Sequence, residues 1–120
     1  MSLEVKAKTI SPKQVLSITQ HVKVGGLSQT IEDGPIEICL PVRGNVKGRE
    51  NVVFKQLFGG NAACVTMIGE QCEFPAILKG YDAAAAWIKE NGHHTSGSPR
   101  EIWHSVPGPD AKMEIVQFYR

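Results

Sequence analysis

The sequence is poor in the residues that mark several specialised classes of protein. Only 3 of its 120 residues are cysteine and none form a C-x-x-C pair, so we expect no disulfide framework and a reducing, cytoplasmic location. Neither sign of charge is in excess, since 13 Lys and Arg stand against 12 Asp and Glu for a net charge of +1. A near-neutral chain is not designed to neutralise many phosphates or to bind an anionic membrane surface. We therefore predict that this domain binds neither nucleic acid directly nor a membrane.

Long apolar runs, metal-ligand spacings and catalytic signatures are also missing. No apolar stretch approaches the ~20 residues that span a bilayer. The 4 histidines follow neither H-x-x-x-H nor H-x-x-E spacing, and no phosphate-binding loop or G-x-S-x-G elbow is present. We predict no cofactor, no metal and no assigned catalytic residue. What remains is a chain of 42% hydrophobic residues that suits one domain over residues 1–120 with its own core.

The chain contains an internal echo at an offset of 47 residues. VKAKTI at 5–10 recurs in outline as VVFKQL at 52–57, and 52 − 5 = 47. The same offset carries Val15, Ile18 and Thr19 onto Ala62, Val65 and Thr66. Both copies predict an extended stretch, a Pro or Gly break and a second extended stretch. The echo indicates a duplicated fold.

The second half predicts one helix between strands. Residues 75–90 carry an apolar stripe of Ile77, Tyr81, Ala84 and Ile88 at helical spacing, and Gly92 is suited to end the helix in the left-handed region. Residues 100–106 and 113–119 predict two strands that pair as a hairpin. The first half has strand candidates at 14–22 and 36–42, with room between them for at most a helical turn around residues 27–32. It is therefore short by about a helix and a strand.

Five motifs in this order resemble the GyrI-like domains, small-molecule-binding modules found alone, in gyrase-inhibitory proteins, and at the C-terminus of MerR-type and AraC-type multidrug regulators. They are GPIEICLPV at 34–42, LFGG with AACVTMIG at 57–69, WIKENG at 87–92, SPREIW at 98–103 and the closing strand from Glu114. The resemblance covers residues 34–120 well and 4–22 loosely. The chain departs from the family where GEQC at 69–72 replaces "G-P-Y".

The resemblance implies an α+β fold in which an antiparallel strand–helix–strand–strand module is duplicated and a ligand cleft lies between the halves. Here the first module, at residues 4–44, is shortened, and the second, at 50–120, holds the one main helix. The implied function is an effector-binding domain of a bacterial transcriptional regulator that binds a lipophilic, cationic small molecule. A DNA-binding domain would then belong to another part of a longer chain.

Glu101 is the leading candidate for the ligand site. Alternation along a strand places Glu101, Trp103 and Ser105 on one face. A carboxylate beside an indole suits a cation, because the ring face attracts positive charge and the carboxylate supplies the counter-charge. The family's matching Glu is implied to line the cleft, whereas the alternative is a solvated Glu101 with Trp103 in the core. Further ligand-binding candidates are Tyr81, Trp87, Phe54 and Tyr119.

Two other functions stay open at this point. Some GyrI-like proteins resemble hydrolases of small electrophiles, and Glu101 would then be a general base that burial makes more basic. Alternatively, the domain is a gyrase-inhibitor-like interaction module. The shortened first module would expose an apolar sheet face, and a second copy, giving a homodimer, is the simplest partner for it.

Overall fold

A computed structural model describes residues 3–23, 33–44, 47–106 and 108–120. This part of the chain forms seven strands, one α-helix and one 3₁₀ turn. In chain order they are β1 (Val5–Ile10), β2 (Lys13–Lys23), β3 (Asp33–Pro41), β4 (Val53–Leu57), β5 (Gly60–Ile68), the 3₁₀ turn (Gly69–Cys72), α1 (Leu78–Glu90), β6 (Arg100–Trp103) and β7 (Lys112–Phe118). Nothing helical in the described part is both long enough and apolar enough to cross a membrane.

The strands form two antiparallel sheets in two compact units. Met1–Ile10 and Gly60–Arg120 form one unit, which we call the helix-bearing unit, with strand order β1-β5-β7-β6. Ser11–Gly59 form the other, which we call the three-stranded unit, with strand order β3-β2-β4. The predicted α+β class with antiparallel sheets and one main helix is confirmed. The module boundaries at 44 and 50 stay a prediction.

The two echo copies exchange their first strands. β1 pairs with β5, so that Val5 faces Val65, and β2 pairs with β4, so that Lys13 faces Leu57. In both ladders the numbers of the two paired residues add to 70, so the two ladders have the same register. Each sheet thus contains a strand from the other copy of the echo.

The three-stranded unit contains both strands that the sequence predicts at 14–22 and 36–42. The predicted strands at 14–22 and 36–42 correspond to β2 and β3, and β3 begins three residues earlier than expected. No helix occurs among the described residues of this unit. The predicted helical turn at 27–32 lies outside the described residues.

Helix α1 packs its predicted stripe on the sheet of the helix-bearing unit. Ala84 and Ile88 are buried, and Ile77 and Tyr81 are half-buried against the same core. The helix begins at Leu78 and not at residue 75, because Leu78, Lys79 and Gly80 donate to carbonyls three residues back and so form a tighter turn. Beneath the helix, β5 and β7 bury Val65, Met67, Met113 and Ile115.

The helix ends as the sequence predicts. Gly92 has φ +76°, the left-handed region that favours glycine. The Gly92 N–H donates to Lys89 O and the His93 N–H to Ile88 O, the two bonds of a Schellman motif. These bonds satisfy carbonyls that the helix end would otherwise leave unpaired.

We expect Gly92→Ala to lower the free energy of unfolding by about 1 kcal/mol, because a Cβ disfavours the left-handed backbone. Urea unfolding followed by circular dichroism measures the change. Ala85→Gly, at an exposed position inside the same helix, gives the comparison for propensity alone. A Gly92→Ala protein as stable as the parent would contradict the role of this cap.

The β6–β7 hairpin forms as predicted but ends earlier. Arg100 faces Val116 and Trp103 faces Met113, whereas the sequence predicts a strand as far as residue 106. The ladder stops because the Lys112 N–H donates to Ser105 Oγ, at 2.8 Å, instead of to a backbone carbonyl. Ser105 therefore lies beyond β6, outside the strand whose alternation was predicted to place it on the face of Glu101.

Candidate functional site

Two side chains donate hydrogen bonds to the Glu101 carboxylate. The Tyr81 hydroxyl donates to Oε2, and Trp103 Nε1 donates to Oε1 at 3.2 Å. The three residues come from α1 and from the edge strand β6. The structure thus brings together three of the six predicted ligand-binding residues.

The register of β6 with β7 explains why Glu101 and Trp103 lie on the side of the sheet where Tyr81 is. Glu101 faces Ile115 across the ladder and Trp103 faces Met113, and both partners belong to the core beneath α1. Directly paired residues of an antiparallel ladder lie on the same face. Glu101 and Trp103 therefore lie on the helix-covered side of the sheet, at its edge, where Tyr81 reaches them.

Tyr81 is a hydrogen-bond donor at this site. Burial raises the pKa of its hydroxyl, and the hydrogen bond to Glu101 together with the carboxylate charge raises it further. The phenol therefore keeps its proton at neutral pH and donates it in the hydrogen bond to the Glu101 carboxylate. Glu101 itself is an exposed residue.

The surroundings of Glu101 are apolar and open. Trp103 is 40% exposed, and Leu78, one turn before Tyr81 on the same helix, is 44% exposed. An exposed carboxylate beside large exposed apolar side chains provides a charge and a lipophilic surface together.

The predicted aromatic residues Trp87 and Tyr119 form a second group. Their ring centroids are 5.6 Å apart at an interplanar angle of 59°. The His93 ring also contacts Tyr119, with a centroid distance of 4.6 Å. Trp87 is six residues after Tyr81, about 9 Å along the helix axis at 1.5 Å per residue. The sequence did not predict that His93 contacts Tyr119. Its position directly after Gly92 is the one signal, because that residue makes the last hydrogen bond of the helix end. A cavity of about 410 Å³ adjoins this group and is lined by His93, His94 and the end of α1.

Phe54, the sixth candidate, lies on β4 in the three-stranded unit. It is half-buried and faces Leu16 across the ladder.

A charged cluster that the sequence does not reveal lies on the other face of the four-stranded sheet. Lys8 Nζ donates to Glu114 Oε2 at 2.5 Å, and His104 Nε2 lies 3.9 Å from Oε1 of the same carboxylate. The hydrogen bond to Glu114 raises the pKa of Lys8. Cys64 lies beside this pair in a cavity of about 140 Å³, and burial raises the pKa of its thiol, which keeps it protonated and inert.

Among the described residues, no group of three or more His, Cys, Asp or Glu side chains is placed to hold a metal ion.

Comparisons with known proteins show similarity in structure only. No protein-family model matches the sequence, and no curated protein matches it. The chain is similar to the crystal structure of the EcmrR C-terminal domain, with a TM-score of 0.81, 16% identity, and coverage of 100% of this chain and 99% of that one. The cryo-EM structure of the EcmrR–DNA complex in EcmrR-RPo gives the same TM-score and identity, and this chain spans 58% of the EcmrR chain there. At 16% identity, the likeness establishes the fold of this chain: α+β, with antiparallel sheets and one main helix.

Proposed function

We propose that this chain is a GyrI-like effector-binding domain of a bacterial, cytoplasmic transcriptional regulator, and that it binds a lipophilic cation at Glu101. The observation that carries the proposal is the exposed Glu101 carboxylate, held by the Tyr81 and Trp103 donors beside exposed apolar side chains. The fold likeness to the C-terminal domain of EcmrR, a protein solved in complex with DNA, supports the regulatory role.

The geometry suits a cation for a simple electrostatic reason. Tyr81 and Trp103 donate one hydrogen bond each, whereas a carboxylate accepts about four. The remaining lone pairs and the negative charge are free to meet a ligand, and each ring face adds about 0.5–2 kcal/mol for a cation. The two donors also fix the carboxylate, so that a ligand does not have to order it.

Trp87 and Tyr119 are proposed to extend the lipophilic surface, whereas Phe54, in the three-stranded unit, stays a prediction from the sequence. In this proposal, the ligand has different affinities for two conformations of the regulator and thereby shifts their populations. DNA recognition would belong to a domain outside this sequence. The apolar, non-reacting contacts make binding broad, while the carboxylate selects for positive charge.

We expect Glu101→Gln to weaken binding of tetraphenylphosphonium about tenfold or more, because an interaction with a charged group is worth about 1.5–3 kcal/mol. Quenching of tryptophan fluorescence measures the affinity, and Trp103→Phe should reduce the quenching more than Trp87→Phe does, because Trp103 lies next to the carboxylate. The matched control is Glu90→Gln, which removes an exposed carboxylate at the other end of α1.

Three results would contradict this proposal. They are no saturable binding below about 1 mM, equal affinity in Glu101→Gln and the parent, and equal affinity for the neutral analogue triphenylphosphine oxide. Tyr81→Phe tests the positioning role, since it frees one carboxylate oxygen without removing the charge. We expect a smaller loss from it than from Glu101→Gln.

The hydrolase alternative needs a buried carboxylate, whereas Glu101 is exposed. We therefore do not propose catalysis at this site. The interaction-module alternative depends on a different surface, the apolar face of the three-stranded unit.

A further inference from the structure

One face of the three-stranded sheet is apolar and exposed. It consists of Leu16, Ile18, Ile38, Leu40 and Phe54, and we call it the open face. Leu16 faces Leu40 on one side and Phe54 on the other, and Ile18 faces Ile38. Ile38 is 57% exposed and Leu40 is 63% exposed, and the other three side chains are half-buried.

No described side chain on the open face is charged. Its rim is formed by the paired Gln14 and Gln56. The described charged side chains of these strands lie on the opposite face, where Lys55 Nζ donates to Glu37 Oε2 at 2.6 Å. A partner for the open face must therefore be apolar and uncharged where the two meet.

The internal echo indicates what shape such a partner has. The offset of 47 places Leu16, Ile18 and Phe54 at the positions of Ala63, Val65 and Ala7. Ala63 and Val65 are fully buried in the core that α1 covers in the helix-bearing unit. The open face is thus the position at which the duplicated fold packs a helix, and the described residues of the three-stranded unit contain none.

The size of the open face also favours a helix. With a strand spacing of about 4.8 Å and a rise of about 3.4 Å per residue, the Cα positions of the open face span roughly 10 Å across the three strands and roughly 7 Å along them. A helix about 10 Å in diameter covers that width. A stable dimer buries about 800 Å² on each partner, several times what this patch offers.

We propose that the open face binds an amphipathic α-helix of another protein that presents an uncharged apolar stripe. The helix lies across β2 and β3 as α1 lies on its own sheet, and it covers Ile38 and Leu40. This inference stands independently of the proposed cation site, because the residues of the open face belong to the three-stranded unit, whereas Glu101, Tyr81 and Trp103 belong to the helix-bearing unit.

The test uses a labelled peptide of residues 75–92, stapled on its polar face so that it is helical, as the probe. Fluorescence anisotropy measures its affinity for the full chain. We expect saturable binding that falls at least about tenfold in Leu40→Glu, because the new charge would be buried by the helix. Thr19→Glu adds the same charge to an exposed position on the opposite face of β2 and should leave binding unchanged. A scrambled stapled peptide without an apolar stripe should not bind.

Each other outcome would overturn the proposal. No saturable binding up to about 1 mM means that the face does not accept a helix. Equal binding to Leu40→Glu and the parent places the peptide elsewhere. Self-association that Leu40→Glu abolishes and the peptide does not inhibit would make a second copy the occupant. Circular dichroism confirms that each variant is folded, and the 63% exposure of Leu40 leads us to expect that it is.

Discussion

Ile115→Ala is expected to lower the free energy of unfolding by about 2–5 kcal/mol. Ile115 is fully buried in the middle of β7, beneath α1 and between Val65 and Glu101 on the neighbouring strands. Removing its side chain forfeits the transfer energy and leaves a cavity that neighbours on a central strand cannot fill by moving. Since domains of this size have a total stability of about 5–15 kcal/mol, the variant is close to unfolding.

Urea unfolding followed by circular dichroism measures this loss. Ile68→Ala is the matched control, because Ile68 belongs to β5 of the same sheet but is 59% exposed. We expect its effect to stay within about 0.5 kcal/mol. If both variants lost the same stability, the core beneath α1 would not be where the structure places it.

Gly80→Val is expected to destabilise the protein by about 1–3 kcal/mol, although glycine is an unfavourable residue inside a helix. Gly80 is buried where α1 packs against Ile115 and Met67 of the sheet. A Cβ at this position would lie 2.5 Å from Ile115 Cδ1 and 2.8 Å from Met67 Sδ, so that the helix must move outward or both side chains must shift. Ala86→Val is the control, since it adds the same β-branched side chain at an exposed position of the same helix.

The two predictions are coupled because the two residues touch. In the double variant, the space that Ile115→Ala opens accepts part of the Gly80→Val side chain. We therefore expect the double variant to be less destabilised than the sum of the single variants, by about 0.5–3 kcal/mol. Additive losses would show that the helix adjusts to a side chain at position 80 without pressing on Ile115.

The helix, its end and most strands could be predicted from local patterns. The stripe from Ile77 to Ile88 and the glycine at position 92 act within one or two turns, and neighbouring residues determine them. The helix start is the exception, because the sequence does not show that residues 75–77 form a tighter turn. The exchange of β1 and β4 between sheets also lies beyond local pattern, since an echo reports that two segments are similar and not which strands they pair with.

Half of the candidate site could be predicted in the same way. Alternation along β6 places Glu101 and Trp103 on one face, and the structure agrees. Tyr81 was predicted only as a further ligand-binding residue, and the sequence does not show that its hydroxyl donates to Glu101. That role depends on the rotation of α1 over the sheet, which is set by packing at Gly80 and not by the residues around Tyr81.

The sequence by itself determined the class of the protein: a near-neutral α+β chain with antiparallel strands and one main helix. Composition, the spacing of apolar residues and the position of Gly92 suffice for that, because secondary structure depends mainly on residues that are close in the chain. Only the tertiary structure decided which side chains meet. Lys8 and Glu114, 106 residues apart, share a hydrogen bond, and Glu101 receives donors from a helix and from its own strand. The open face likewise became visible only when strand register placed Leu16, Leu40 and Phe54 side by side, because register is set by the whole sheet and not by any one strand.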